Sequence, residues 1–282
     1  MDAIMLIMKS IILGIVEGLT EFLPVSSTGH LVIFQNLMKF EGTTLNYVNM
    51  YTYVIQLGAI LAVVILYWGK IKDTLINFFP QKVGYEKSGF KFWFMVVIAC
   101  IPGGVFGILL DDLADKYLFS PVPIALTLFF GGIAMIYAEN KFRKNKSTSR
   151  EINVTVKQAW IIGLFQCLAI IPGMSRSAST IIGGWVAGLS TVAAAEFSFF
   201  LAIPVMVGMS LLKIIKIGGV MTLTSPEITS LAVGFIVSFI VALGVINKFI
   251  TYLKHKPMKI FAIYRMIFAV VVLVSGFAGI FS

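Results

Sequence analysis

Two stretches of this 282-residue sequence carry side chains that apolar surroundings reject unless they are used. The first reads Glu17-Gly-Leu-Thr-Glu21-Phe-Leu-Pro24-Val-Ser26-Ser27-Thr28-Gly29-His30. Glu17 and Glu21 stand four apart and so share one helix face. Two carboxylates stacked there must raise the proton affinity of one of them or hold a cation between them. Pro24 ends the helix, because it cannot donate to the hydrogen-bond ladder and it restricts Leu23. Ser26, Ser27, Thr28 and Gly29 then offer hydroxyls and backbone N–H groups in a turn, with His30 following. The second stretch reads Pro172-Gly173-Met174-Ser175-Arg176-Ser177-Ala178-Ser179-Thr180. Gly173 permits a tight turn, and Ser175 or Ser177 can cap the helix after it. A helix N-terminus behind a glycine turn binds anions, and the fork of Arg176 matches phosphate oxygens.

Taken singly, these residues have plain structural explanations. A glutamate pair can hydrogen-bond within a bundle, serines and threonines satisfy broken membrane helices, and a lone histidine is commonly packed. Arg176 alone could neutralise a carboxylate of the first stretch. Together they point to phosphate chemistry. Elsewhere the plain explanation is preferred. Glu196 and Arg265 lie near expected helix ends, where long side chains reach the interface. His255 sits in a basic loop facing solvent. Cys100 and Cys167, each within an apolar run, are small packing residues without metal-ligand neighbours.

The elements that must position these residues are membrane helices. Hydrophobic residues make up 59% of the chain and charged residues 12%, against about a quarter charged in a soluble domain. The apolar blocks reach the roughly 20 residues that a spanning helix needs. They lack the alternation of a membrane β-strand, so the fold is all-α. Spans are expected near 49–68, 92–110, 121–140, 192–215, 229–248 and 260–281. Residues 3–40 and 158–190 are apolar but interrupted in their middles, and are read as re-entrant helical hairpins. The N-terminus is not a cleavable signal, because Glu17 breaks the apolar run and no small-residue cleavage site follows.

The net charge of +9 does not indicate nucleic acid. Of the 22 Lys and Arg, 15 fall within 70–91, 141–157 and 248–259, the pattern of cytoplasmic loops. With those segments inside, the acidic group Asp111, Asp112 and Asp115 is outside. The first interrupted region then enters from outside and the second from inside. Residues 1–146 and 147–282 therefore read as two inverted repeats. Gly14-Ile-Val-Glu17 aligns with Gly163-Leu-Phe-Gln166; with one gap, Pro24-Val-Ser-Ser27-Thr28 aligns with Pro172-Gly-Met-Ser175-Arg176; and Tyr67-Trp-Gly-Lys70 aligns with Lys213-Ile-Ile-Lys216. Inverted repeats share a site near the bilayer midplane.

The two motifs, the length and the span pattern resemble the undecaprenyl-diphosphate phosphatase family linked to bacitracin resistance, over essentially the whole chain. The resemblance implies hydrolysis of undecaprenyl diphosphate to undecaprenyl phosphate and inorganic phosphate, recycling a lipid carrier for cell-wall synthesis. It also implies a bacterial inner membrane and an active site facing the periplasm or outside. The expected catalytic residues are Glu17, Glu21, Ser27, His30 and Arg176. Ser26, Thr28, Gly29, Gly173, Ser175, Ser177 and Thr180 are expected to bind substrate. Glu17 and Glu21 are expected to hold a Mg²⁺ or Ca²⁺ ion. Three mechanisms fit these residues: Ser27 as nucleophile with His30 as base or acid, His30 as nucleophile, or metal-activated water. The rival function is a transporter or flippase of an anionic lipid or small anion, since broken helices bind anions there too. Oligomeric state leaves no mark in the sequence.

Overall fold

Every apolar block forms a helix, because a backbone in lipid must satisfy its own polar groups. The computed structural model describes residues 3–44, 46–143, 152–217 and 223–279, and the regular elements among them are all helical. The chain runs through α1 (Ala3–Thr20), α2 (Ser27–Leu37), α3 (Tyr47–Leu66), α4 (Trp68–Ile76) and α5 (Pro80–Val83). After a 3-10 turn at Tyr85–Lys87 come α6 (Gly89–Tyr117) and α7 (Pro121–Phe142). The remainder is α8 (Val156–Gln166), a 3-10 turn at Cys167–Ile170, α9 (Arg176–Val186), α10 (Thr191–Ile217), α11 (Ser225–His255) and α12 (Lys259–Phe277).

Seven of these helices, α1, α3, α6, α7, α10, α11 and α12, are long and apolar enough to cross a membrane. The six expected spans are all present, and α1 is the seventh. Glu17 lies inside α1 without breaking it, so the interruption of 3–40 falls later, between Thr20 and Ser27. Caps explain why two spans start earlier than expected. Ser88 accepts from the Lys91 N–H at the start of α6, and Thr224 with Glu227 forms a capping box at the start of α11. The outward faces of the spans remain apolar: Ile108 of α6 is 73% exposed and Ile215 of α10 72%, which suits acyl chains and not water. Residues 144–151, the middle of the basic segment 141–157, and the side chains of Asp111, Asp112 and Asp115 lie outside the described structure.

The helices pair in a pattern that recurs. α1 packs on α11 and α8 on α6; α2 returns against α1 and α9 against α8; α3 meets α10, and α7 meets α12. Small residues permit the first two contacts. A Cβ on Gly14 would stand 2.8 Å from the Gly234 carbonyl oxygen, and one on Gly163 would stand 2.6 Å from that of Ala99. Both distances are below van der Waals contact. The main core gathers Phe22, Trp185, Phe197, Phe199 and Phe200 between the two broken regions and α10. Glu196 pairs with Lys70 at 3.5 Å, which ties α10 to α4.

Candidate active site

The two breaks are built alike. α1 ends at Thr20, and the turn that follows delivers Ser26 with φ 71°, a conformation that costs an ordinary residue about 1–2 kcal/mol. Ser26 caps α2 by accepting from the Gly29 N–H at 3.4 Å. In the second break Ser175 has φ 69° and caps α9 by accepting from the Ala178 N–H at 3.3 Å. Both capped helices have 11 residues. Each is followed by a positive-φ residue, Lys39 after α2 and Gly188 after α9. Cap pairs with cap and end with end without a gap, so Ser26 corresponds to Ser175 and Ser27 to Arg176. The one-gap pairing of Ser27 with Ser175 is corrected by one position, because the positive-φ cap, invisible in residue type, sets the register.

Side chains from the two breaks meet. Ser27 Oγ donates to Glu21 Oε2 at 2.6 Å, and Arg176 Nη2 donates to Glu21 Oε1 at 3.0 Å. Arg176 Nη1 also donates to the Ser198 carbonyl at 3.0 Å, while the guanidinium lies 5.8 Å from the centre of the Phe22 ring. A second link runs from Ser177 Oγ to the Leu23 carbonyl at 2.9 Å. Glu21 therefore has one oxygen on a cation and the other on a hydroxyl. A cavity of about 220 Å³ opens onto Glu21, Ser26, Ser27 and Thr28 from one break and Gly173, Ser175 and Arg176 from the other. Tyr53, Gln56, Met206 and Lys213 are among its other walls.

The profile of the family described as bacitracin resistance protein BacA matches residues 10–271. The chain belongs to that family. It is 69% identical over 281 residues to an undecaprenyl-diphosphatase of Ruminiclostridium cellulolyticum, with all of both chains covered. It is 53% identical over 270 residues to an undecaprenyl-diphosphatase of Clostridium tetani, covering 96% of each. It is 50% identical to undecaprenyl-diphosphatase 2 of Clostridium acetobutylicum, covering 98% of each.

Within this member of the family, the expected site residues divide into three groups. Glu21, Ser26, Ser27, Thr28, Gly173, Ser175 and Arg176 line the cavity. Ser177 and Thr180 are fully buried behind it and act as braces: Ser175 Oγ lies 3.1 Å from Ser177 Oγ, and Thr180 Oγ1 lies 2.6 Å from Ser198 Oγ. Gly29 gives its N–H to the cap and is buried. Glu17 is also fully buried, set against Glu21, and no donor reaches either of its oxygens. His30 is turned away from the cavity. Its Nδ1 lies 2.8 Å from the Ser26 carbonyl oxygen and its Nε2 2.7 Å from the Tyr264 hydroxyl.

Two buried carboxylates face one guanidinium, so the site requires a shared proton or a further cation to balance its charge. Glu17, whose oxygens have no partner other than the neighbouring Glu21 carboxyl, fits such a proton or cation. Among the described residues no three His, Cys, Asp or Glu side chains converge. A Mg²⁺-type ion would draw its other ligands from substrate oxygens and water.

Several supporting residues were not expected. Arg265 is only 1% exposed and does not reach the interface; it donates to the Gly173 carbonyl at 2.7 Å and towards that of Thr127 at 3.4 Å. The available signal was its place within the apolar run 260–281, where a charge is expensive and must be used. Thr127 Oγ1 donates to the Pro172 carbonyl, so α7 and α12 together hold the second turn. Gly173 has φ 95°, and a Cβ there would strike Thr127. Gly173→Ala is expected to destabilise the protein by about 2 kcal/mol. A thermal unfolding midpoint in detergent, unchanged from the parent, would contradict that expectation.

Proposed function

We propose that the chain hydrolyses a polyprenyl diphosphate at this cavity, releasing inorganic phosphate and lipid monophosphate. Undecaprenyl diphosphate is the substrate class named by its relatives, and the product re-enters cell-wall synthesis as a carrier. The observation that carries this reading is Ser27 Oγ donating to a carboxylate that is itself fixed by Arg176. Phosphoryl transfer needs little beyond such positioning and charge neutralisation.

In the proposed course Ser27 Oγ attacks the terminal phosphorus while its proton passes to Glu21 Oε2. The bond from that phosphorus to the bridging oxygen breaks, and the lipid monophosphate leaves with the electron pair. A phosphate monoester has its second pKa near about 6, so this leaving group needs no proton donor. Water then attacks the phosphoserine as protonated Glu21 returns its proton to the departing Ser27 oxygen. The carboxylate so freed takes a proton from the attacking water, inorganic phosphate is released, and Glu21 passes that proton to solvent. Arg176 and the N-termini of α2 and α9 offset the phosphate charge. Glu17 and Glu21 would hold a Mg²⁺ or Ca²⁺ ion, which when bound supplies further charge neutralisation at the phosphate oxygens.

We further read residues 1–146 and 147–282 as inverted repeats. The helix pairings and the matched caps of α2 and α9 support this, since exchanging the halves maps one set onto the other. The membrane is the bacterial inner membrane, with the cavity facing outward. In support, Tyr53 of α3 and Ala114 of α6 line it from the ends of those helices distant from the lysines of 70–91.

Purified protein in detergent, given undecaprenyl diphosphate, is expected to release one phosphate per lipid. Absence of release, with the lipid instead moved across a vesicle bilayer, would overturn the reading in favour of transport. Glu17→Gln is expected to raise the Mg²⁺ or Ca²⁺ concentration for half-activation about tenfold or more. An unchanged titration against EDTA-buffered metal would remove Glu17 from the ion.

A further inference from the structure

We infer that His30 is a positioning residue, which clamps the Ser26 carbonyl and so presents Ser27, and that Tyr264 and Phe268 of α12 hold it in that role. This rests on the phosphatase reading above and concerns how its nucleophile is placed.

The ring has no nitrogen free for the Ser27 proton. A carbonyl only accepts, so the Nδ1 that lies 2.8 Å from the Ser26 oxygen carries a hydrogen and donates it. In the neutral ring Nε2 then accepts from the Tyr264 hydroxyl at 2.7 Å. One face is covered by Phe268, whose centroid lies 3.8 Å away at an interplanar angle of 7°. His30 is 3% exposed, and it is absent from the cavity wall that Ser27 and Glu21 share. The Ser27 hydroxyl is already committed to Glu21.

The clamped group explains why a clamp is needed. Ser26 holds a left-handed φ of 71° that only surrounding contacts can sustain. Its carbonyl belongs to the peptide that leads into Ser27, so fixing that oxygen fixes the plane from which Ser27 projects. The second break supplies an internal comparison. Ser175 has the same strained φ, and its carbonyl accepts from Ser179 Oγ at 2.9 Å. Ser179 follows its cap by the same four residues as His30 follows Ser26. A hydroxyl there performs the same clamp with no capacity to serve as a base. The first break uses a histidine because the larger ring reaches α12 while still donating to the carbonyl, which joins the nucleophile turn to the last helix.

A panel at position 30 tests the inference. Asn places an N–H donor where Nδ1 stands, Ser copies the clamp of the second break, Gln places its donor where Nε2 stands, and Ala removes both. His30→Asn and His30→Ser are expected to keep kcat within about tenfold of the parent. His30→Gln and His30→Ala are expected to lose about 100-fold or more. Tyr264→Phe is expected to lower kcat by about three- to tenfold at unchanged KM. Equal loss across all four position-30 variants, or recovery of His30→Ala by added imidazole, would overturn the positioning role and make His30 the proton carrier. Thermal midpoints accompany each variant, and the two clamp-preserving substitutions keep the test decisive if one of them fails to fold. A parent protein that releases no phosphate would instead refute the function proposed above, which keeps the two failures distinct.

Discussion

Ser27→Ala is expected to lower the rate of phosphate release by about 1,000-fold or more, with little change in stability. The size follows from the role proposed for Ser27: without the hydroxyl the proposed phosphoserine cannot form, and what remains is the electrostatic help of Arg176 and the helix ends. The mild structural effect follows from the geometry. The cap of α2 is Ser26 and not Ser27, so the helix start is untouched by the substitution. Glu21 loses one donor but keeps its ion pair with Arg176 at 3.0 Å. Steady-state phosphate release and a thermal midpoint measured on the same preparation check both halves. Ser26→Ala serves as the contrast. It removes the cap, costs about 1 kcal/mol of stability, and leaves the Ser27 hydroxyl in place.

Arg176→Lys is expected to cost about 100-fold in kcat/KM. The guanidinium reaches Glu21 through one nitrogen and the Ser198 carbonyl through another, from a side chain only 11% exposed. An ammonium is a point charge and cannot span both acceptors while facing a phosphate. Arg176→Met goes further, because it strands the carboxylates of Glu17 and Glu21 in a buried site. Breaking a buried pair in this way costs about 3–5 kcal/mol. Adding Glu21→Gln to Arg176→Met is expected to recover most of the stability and none of the activity. The cycle thereby separates the structural work of the pair from its chemical work. Recovery of activity in the double variant would mean that Arg176 serves only to neutralise Glu21.

Which parts of this arrangement can be read from sequence depends on how local their physics is. Apolar runs, caps and proline breaks act over a few residues, so the spans and both interrupted regions are legible, and the six expected spans are all present. The ends of α6 and α11 moved because Ser88 and the Thr224–Glu227 capping box lie outside the apolar windows. Glu21, Ser27 and Arg176 stood out as candidates, because charge and hydroxyls in an apolar segment demand a use. That Arg176 could neutralise a carboxylate of the first stretch was legible too; which carboxylate, and that it also holds Ser27, was not, since this depends on a left-handed serine that no residue type announces. The same hidden φ shifted the apparent alignment of the two motifs by one position. His30 illustrates the limit most clearly: three residues from Ser27 it suggests a helical neighbour, yet its side chain turns to Tyr264, 234 positions away in the chain. Arg265 was misplaced for the opposite reason. Position in a run suggested an interface, while burial against the Gly173 carbonyl gives it a partner that only the tertiary fold supplies.

The most direct test is a rapidly quenched turnover with substrate labelled at its terminal phosphate, followed by peptide mass spectrometry. Label is expected on Ser27 at early quench times, and to be lost in Ser27→Ala and strongly reduced in Glu21→Gln, where the attacking hydroxyl has no base. Label on His30, or release of phosphate in a single step with no labelled peptide at any quench time, would contradict this expectation.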